Sequence, residues 1–359
     1  MVIFGDLTTT RQAVRRFLYA GATVTLVLDG ALPDYPDRID TVRYASRPAL
    51  TDTAGLLRLI GPAWLIVDVD LPCPFRERTR ELAGHLHVLS VTEDPAPREG
   101  SVTLVGGGPG STSLLTLEAC AALRQADVVF YDRLAATDDL VEFAAGAEHI
   151  DVGKTPYHHP VAQASIEDQM ISRARRGESV VRLKGGDPFV LGRGGEEMLA
   201  CVRAGVAVRV VPGISSALSV PATCGIPVTH RGVSKAFTVI SGHVPPEPHE
   251  LDALVRLKAT IVILMGITNL DQIMAGLDRA GLASGTPAAV IERGFSDTQR
   301  STITTAAELA ATARRLDVSS PAVVVIGEVV ALAPASPTAS AEVVEAFAPW
   351  FTTPEVRAS

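Results

Sequence analysis

The stretch VVRLKGGDPFVLGRGGEE, Val180 to Glu197, carries the residue types best suited to chemistry in this 359-residue chain. An apolar run ends in Gly185-Gly186-Asp187-Pro188. That order sets free backbone N–H groups and a carboxylate at the C-terminal edge of a strand, where open α/β sheets bind ligands. Gly192, Gly194 and Gly195 form a second turn before a helix starting near Glu196. Each glycine costs chain entropy, so two such clusters in succession point beyond folding needs. A second loop, SVTLVGGGPGSTSLLTLEA from Ser101 to Ala119, reads as strand, glycine loop and helix. No lysine follows its glycines, which excludes the phosphate loop G-x-x-x-x-G-K-[ST]. The dinucleotide pattern G-x-G-x-x-G is met at Gly106 and Gly108 and missed at Ser111, while Asp132 stands about where that pattern wants an acid. On this loop alone, a nucleotide site and a plain glycine-rich turn both remain open. A third segment, VVPGISSALSVPATCGIPVTHRG from Val210 to Gly232, is small, polar and proline-studded, as suits a loop lining a cleft.

Short apolar strands and helices must position these loops. VTLV, DVVFYD, VVRLKG and VRVVP read as strands, with helices such as SIEDQMISRARRG and GGEEMLACVRAG between them. A second set begins near Ala236 with AFTVIS, TIVILMG, PAAVIER and PAVVVIG. The pattern predicts two α/β domains joined near Pro212 to Pro227. Ahead of them, VIF, ATVTLVLD, AWLIVDVD and HLHVLSV alternate with helical segments, which implies a further α/β unit with a parallel sheet. EDPAPREG, Glu93 to Gly100, reads as its linker. The expected division is residues 1–100, 101–215 and 216–335, with an Ala/Ser/Pro-rich tail over 336–359 whose AEVVEAFAPWF could dock on the body.

Composition narrows the function classes. The net charge of −8 argues against a nucleic-acid partner, which needs a basic face. Cys73, Cys120, Cys201 and Cys224 lie far apart and form no C-x-x-C pair, as expected of reduced thiols in a cytoplasmic protein. The N-terminus has no signal-peptide pattern, and no apolar run reaches the roughly 18 residues of a membrane span. His158-His159 would point apart on a strand without a third ligand nearby, so no metal is expected.

Taken in order, Val105 to Gly110, Tyr131 to Leu134, Val152 to Lys154, Arg182 to Glu197, Pro212 to Ala217, Gly225 to Arg231 and Met265-Gly266 resemble the uroporphyrinogen-III C-methyltransferase family over about residues 101 to 332. The resemblance implies the tetrapyrrole methylase fold, two α/β domains with the active cleft between them. It implies S-adenosyl-L-methionine (SAM) as methyl donor, S-adenosyl-L-homocysteine (SAH) as product, and a homodimer. The expected reaction methylates uroporphyrinogen III twice, through precorrin-1 to precorrin-2, for siroheme or cobalamin. A later precorrin is the alternative acceptor. By family position, Pro109, Gly185, Gly186, Asp187, Val190, Ser215, Ser216, Met265 and Gly294 would contact the cofactor. The proposed base falls on Asp132 and the proposed acid on Lys154. The polycarboxylate substrate would draw on Arg133, Arg182, Lys184, Arg193, His230 and Arg231, with Lys154 and Lys235 near the same motifs. Plainer readings exist: Asp132 as a helix cap, Lys154 as a solvated lysine, Met265 as a core residue. The chain departs from the family at Ser111, where Asp is usual after G-P-G, and at Thr155, where Arg often follows Gly-Lys.

The first hundred residues resemble the NAD-dependent precorrin-2 dehydrogenase and chelatase domain of bifunctional siroheme synthases. Its G-G-G-x-x-A fingerprint is reduced to Gly5, and Asp6, Leu7 and Thr8 would enter the pyrophosphate path. The expectation is a degenerate Rossmann-like domain without dehydrogenase activity; a bifunctional synthase with residual oxidation is the alternative.

Overall fold

The computed structural model describes residues 1–359 except 7, 8, 11, 12, 15, 16, 19, 30–41, 70, 94–98, 133–139, 145, 154–162 and 335–359. The tail, Arg133, Lys154 and His158-His159 therefore lie outside the described residues. Among the described residues the architecture is α/β, built on three five-stranded sheets.

The first sheet comprises β1 (Val2–Phe4), β2 (Val24–Leu28), β3 (Val42–Ser46), β4 (Leu65–Val69) and β5 (Leu89–Glu93), in the order β3-β2-β1-β4-β5. Every pair is parallel, which is the order of a doubly wound nucleotide-binding sheet. β3 escapes a hydrophobicity reading because VRYAS lies at the sheet edge and only Val42 is buried.

The second sheet comprises β6 (Ser101–Gly106), β7 (Val128–Tyr131), β8 (Glu148–Asp151), β9 (Ser179–Lys184) and β10 (Ala207–Val211), in the order β10-β6-β9-β7-β8. It too is wholly parallel. β9 lies between β6 and β7 and is buried from Val180 to Lys184, as a central strand covered on both faces must be. Helices Gln163–Arg175 and Gly194–Arg203 cover one face, where Met170 and Cys201 are fully buried against Leu104, Phe130 and Val180. Burial of a side chain such as Met170 contributes about 2 kcal/mol. β8, EHID, is a half-exposed edge strand that an apolar search passes over.

The third sheet differs from simple strand–helix alternation. It comprises β11 (Phe237–Ser241), β12 (Thr260–Leu264), β13 (Pro287–Glu292), β14 (Arg300–Thr305) and β15 (Ala322–Ile326), in the order β11-β12-β15-β13-β14. β11 and β12 are parallel, while β12–β15, β13–β15 and β13–β14 are antiparallel. The segment between Glu292 and Arg300 holds no helix, so β14 returns beside β13 rather than crossing over. Its sequence, RSTITT, is polar and was not expected as a strand.

Each sheet has buried clusters on both faces. Among the described residues they fall within 1–83, 102–211 and 217–333, and none mixes residues of two sheets.

Candidate functional site

A cleft of about 510 Å³ is lined by residues of the second and third sheets. Gly108 and Pro109 follow β6, Asp132 follows β7, and Gly185 to Asp187 follow β9. From the third sheet come Met265 after β12, Gly294 after β13 and Val323 at the start of the antiparallel β15. These are the carboxyl ends of the parallel strands, the usual ligand edge of such sheets. All nine residues expected to contact a cofactor line this one cleft, and so does Asp132.

Close backbone approach builds the floor. Gly186 has φ +70°, a conformation glycine tolerates. A Cβ on Gly213 would lie 2.3 Å from Gly186 O and 2.6 Å from Gly106 Cα. The loops after β6, β9 and β10 therefore meet main chain to main chain, leaving backbone rather than side chains at the surface of the cleft. Asp187 ties this floor together: Oδ1 accepts from Phe189 N at 2.8 Å and Oδ2 from Gly213 N at 3.0 Å. Ser215, nearly buried, caps the helix Ser216–Ala222 by accepting from Ala217 N.

Met265 is not core. It is half-exposed, lines the cleft and holds φ +56°. Leu191, another lining residue, has φ +57°, and Arg293 and Phe295 on either side of Gly294 have φ +47° and +66°. Such strain costs on the order of 1 kcal/mol or more per residue and gathers at functional sites.

Behind Asp132 lies a buried set of charges. Arg182 and Lys184 are 5% and 4% exposed, and Glu197 is wholly buried. Arg182 Nε donates to Glu197 Oε1 at 3.2 Å, and Lys184 Nζ reaches Oε1 and Oε2 at 3.1 and 3.0 Å. Arg182 Nη2 donates to Asp132 Oδ2 at 3.3 Å, and Nη1 to Leu183 O at 3.0 Å. Burial lowers the Lys184 ammonium below its usual range, the Arg182 charge lowers it further, and Glu197 and Asp132 oppose both. Arg182, expected to grip substrate, thus spends its guanidinium inside the protein. Lys184 lines the cleft while bonded to Glu197.

The other expected substrate cations sit elsewhere. Arg193 is exposed and paired with Glu196, Nε to Oε1 at 3.0 Å and Nη2 to Oε2 at 2.6 Å. His230 and Arg231 are exposed in a turn closed by the His230–Ser234 bridge, and neither is among the cleft-lining residues. Among the described residues, no group of three or more His, Cys, Asp or Glu could hold a metal ion.

Sequence reasoning passed over Glu197, whose place in the run GGEE looks like a solvated helix start. It also passed over Ser320 and Pro321, which line the cleft just before β15. Their one signal is a Ser-Ser-Pro turn ahead of an apolar strand.

In the first sheet, the turn after β1 is occupied by its own acid. Thr9 N donates to Asp6 Oδ1 at 2.9 Å and Thr9 Oγ1 to Oδ2 at 2.6 Å. A Cβ on Gly5 would meet Val69 O at 2.6 Å, so the turn is also tight against β4. A carboxylate stands where a dinucleotide sheet receives pyrophosphate.

A cleft lined from two α/β sheets and floored by glycine loops, with no phosphate-loop lysine, is a small-molecule site of the kind found at the strand ends of such sheets. The sequence model for Tetrapyrrole (Corrin/Porphyrin) Methylases matches residues 101–310. This chain belongs to that family. It is similar to the S-adenosyl-L-methionine-dependent uroporphyrinogen III methyltransferase of Methanosarcina barkeri, 45% identical over 237 residues, 65% of this chain and 93% of that protein. It is 43% identical over 245 residues to the siroheme synthase of Gluconobacter oxydans; the match spans 67% of this chain and about half, 52%, of that longer relative. The crystal structure of uroporphyrin-III C-methyltransferase from Thermus thermophilus complexed with SAH superposes with a TM-score of 0.55 at 39% identity, covering 64% of this chain and 99% of that one.

Proposed function

We propose that this chain is a SAM-dependent C-methyltransferase that methylates uroporphyrinogen III twice, through precorrin-1, to precorrin-2. The observation that carries the reading is the convergence of Pro109, Gly185, Gly186, Asp187, Val190, Ser215, Ser216, Met265 and Gly294 on one cleft that Asp132 also lines. Relatives named for this reaction support it.

The residues present fit SAM. The close-packed glycine floor, whose Gly107, Gly108, Gly186 and Gly213 N–H groups are bonded within the protein, lets a bulky nucleoside lie directly against backbone and needs no phosphate-binding lysine. SAM supplies an electrophilic methyl group, and an electron-rich pyrrole carbon can take it directly. The protein then has to hold donor and acceptor in line and remove one proton per transfer. Asp132, at the cleft wall and held by Arg182, is assigned as the base. Lys154 is assigned as the acid by its position in the motif. Arg133, Arg193, His230 and Arg231 are assigned to the carboxylates of the substrate by the same motif, with Lys184 at the cleft wall.

Three units, residues 1–100, 101–215 and 216–335, are the proposed domains. The first is assigned a structural role without NAD chemistry, on the ground that Asp6 fills its anion site. Cytoplasmic placement rests on the free cysteines and the lack, among the described residues, of a helix long and apolar enough to cross a membrane. Homodimer formation rests on the family resemblance, and sedimentation would test it. Turnover is tested by following uroporphyrinogen III consumption together with SAH release. Consumption of a later precorrin in its place would favour the alternative acceptor.

A further inference from the structure

Glu197 is wholly buried and does not line the cleft, yet it is bonded to two cations. Arg182 and Lys184 stand two residues apart on the central strand β9 and so share a face. The next residue back on that face, Val180, packs in an apolar cluster with Leu104, Phe130 and Met170. A face of this kind is ordinarily completed with apolar side chains. Buried ion pairs carry a heavy desolvation cost, and apolar replacements of similar volume are often as stable or more so. Folding alone therefore does not call for this arrangement.

The bonds show what it holds. Both Glu197 oxygens are used: Oε1 accepts from Arg182 Nε and Gln163 Nε2, and each oxygen accepts from Lys184 Nζ. The first turn of the helix Gly194–Arg203 favours this negative charge. With Nε fixed by Glu197 and Nη1 by Leu183 O, the planar guanidinium has one orientation, and that orientation aims Nη2 at Asp132.

We propose that Glu197 is a positioning residue. Through Arg182 it fixes the Asp132 carboxylate toward the cleft, and directly it holds the Lys184 ammonium at the cleft wall. It touches neither donor nor acceptor. This inference rests on the methyltransferase reading above.

The test compares wild type with Glu197→Gln and Glu197→Asp, using methyl transfer to uroporphyrinogen III, SAH binding by calorimetry and thermal unfolding. Glu197→Gln keeps the size but leaves two buried cations facing one carboxylate. Glu197→Asp keeps the charge balance but withdraws the carboxylate by one methylene, and the unfolding curve shows whether it folds. Glu197→Asp should lower kcat by about tenfold or more with SAH affinity unchanged. Glu197→Gln, where folded, should lose at least as much. A folded Glu197→Asp enzyme with the wild-type kcat overturns the positioning role, and so does a loss confined to SAH affinity or thermal stability. Wild type that transfers no methyl group overturns the methyltransferase reading itself, a result seen before either variant is measured.

Discussion

Gly186 and Gly108 form a two-residue bridge, in which Gly186 N donates to Gly108 O at 2.6 Å and Gly108 N to Gly186 O at 3.2 Å. This bridge joins the loops after β6 and β9, and Gly213 packs on it from the loop after β10. Gly213→Ala would place a methyl group 2.3 Å from Gly186 O. The floor must then separate. The expected result is destabilisation of about 1–3 kcal/mol and loss of SAH binding, read by thermal unfolding and calorimetry on the same preparation.

Asp132→Asn keeps the shape of the side chain and its bond from Arg182 but removes the basic carboxylate. Methyl transfer should fall by about 10²–10⁴-fold, with SAH binding retained. Unchanged turnover in single-turnover experiments would refute the assignment of Asp132 as base while leaving the cleft assignment standing.

Asp68 gives a pH dependence confined to the first sheet. It is wholly buried on β4, its Oδ2 has no hydrogen-bond partner among the described residues, and Oδ1 receives a long bond from Thr79 at 3.5 Å. Burial pushes its carboxyl up to about 6, against the pull of Arg80, Arg76 and Thr79. A raised carboxyl binds its proton more tightly in the folded state. Its contribution to stability is present below about pH 4 and is lost as the pH rises through about 6. Asp68→Asn should therefore be more stable than wild type by on the order of 2–3 kcal/mol near pH 7.5, and the gap should close toward pH 4. Denaturant midpoints for both proteins across this range check it; a gap that widens on acidification would contradict it.

The Asp6 carboxylate already bonded within the turn after β1 predicts that NAD does not bind. Millimolar NAD should leave the unfolding temperature unchanged. Conversion of precorrin-2 to sirohydrochlorin with NAD by the purified chain would contradict the structural role given to this unit.

The cleft was legible in the sequence because main-chain geometry wrote it there. Gly106, Gly186 and Gly213 are needed where backbones touch, and Asp187 and Ser215 lie beside them in the chain. The apolar strands were legible for the same kind of reason, since β4 and β12 are buried end to end and β9 from Val180 onward. The edge strands β3, β8 and β14 were not, because exposure lets them be polar. Nor was the role of Glu197, whose partners Arg182 and Gln163 are 15 and 34 residues away in the chain and meet it only through packing. Spacing likewise could not tell that Arg182 faces inward to Asp132 while Arg193 faces solvent with Glu196.

The most direct measurement is label transfer. The purified chain is incubated with uroporphyrinogen III and methyl-labelled SAM, and the tetrapyrrole product is analysed by mass spectrometry. Two labelled methyl groups per macrocycle at completion, with a singly labelled species appearing first, is the predicted result. A tetrapyrrole without label, in a protein that still binds SAH, would contradict the proposed reaction.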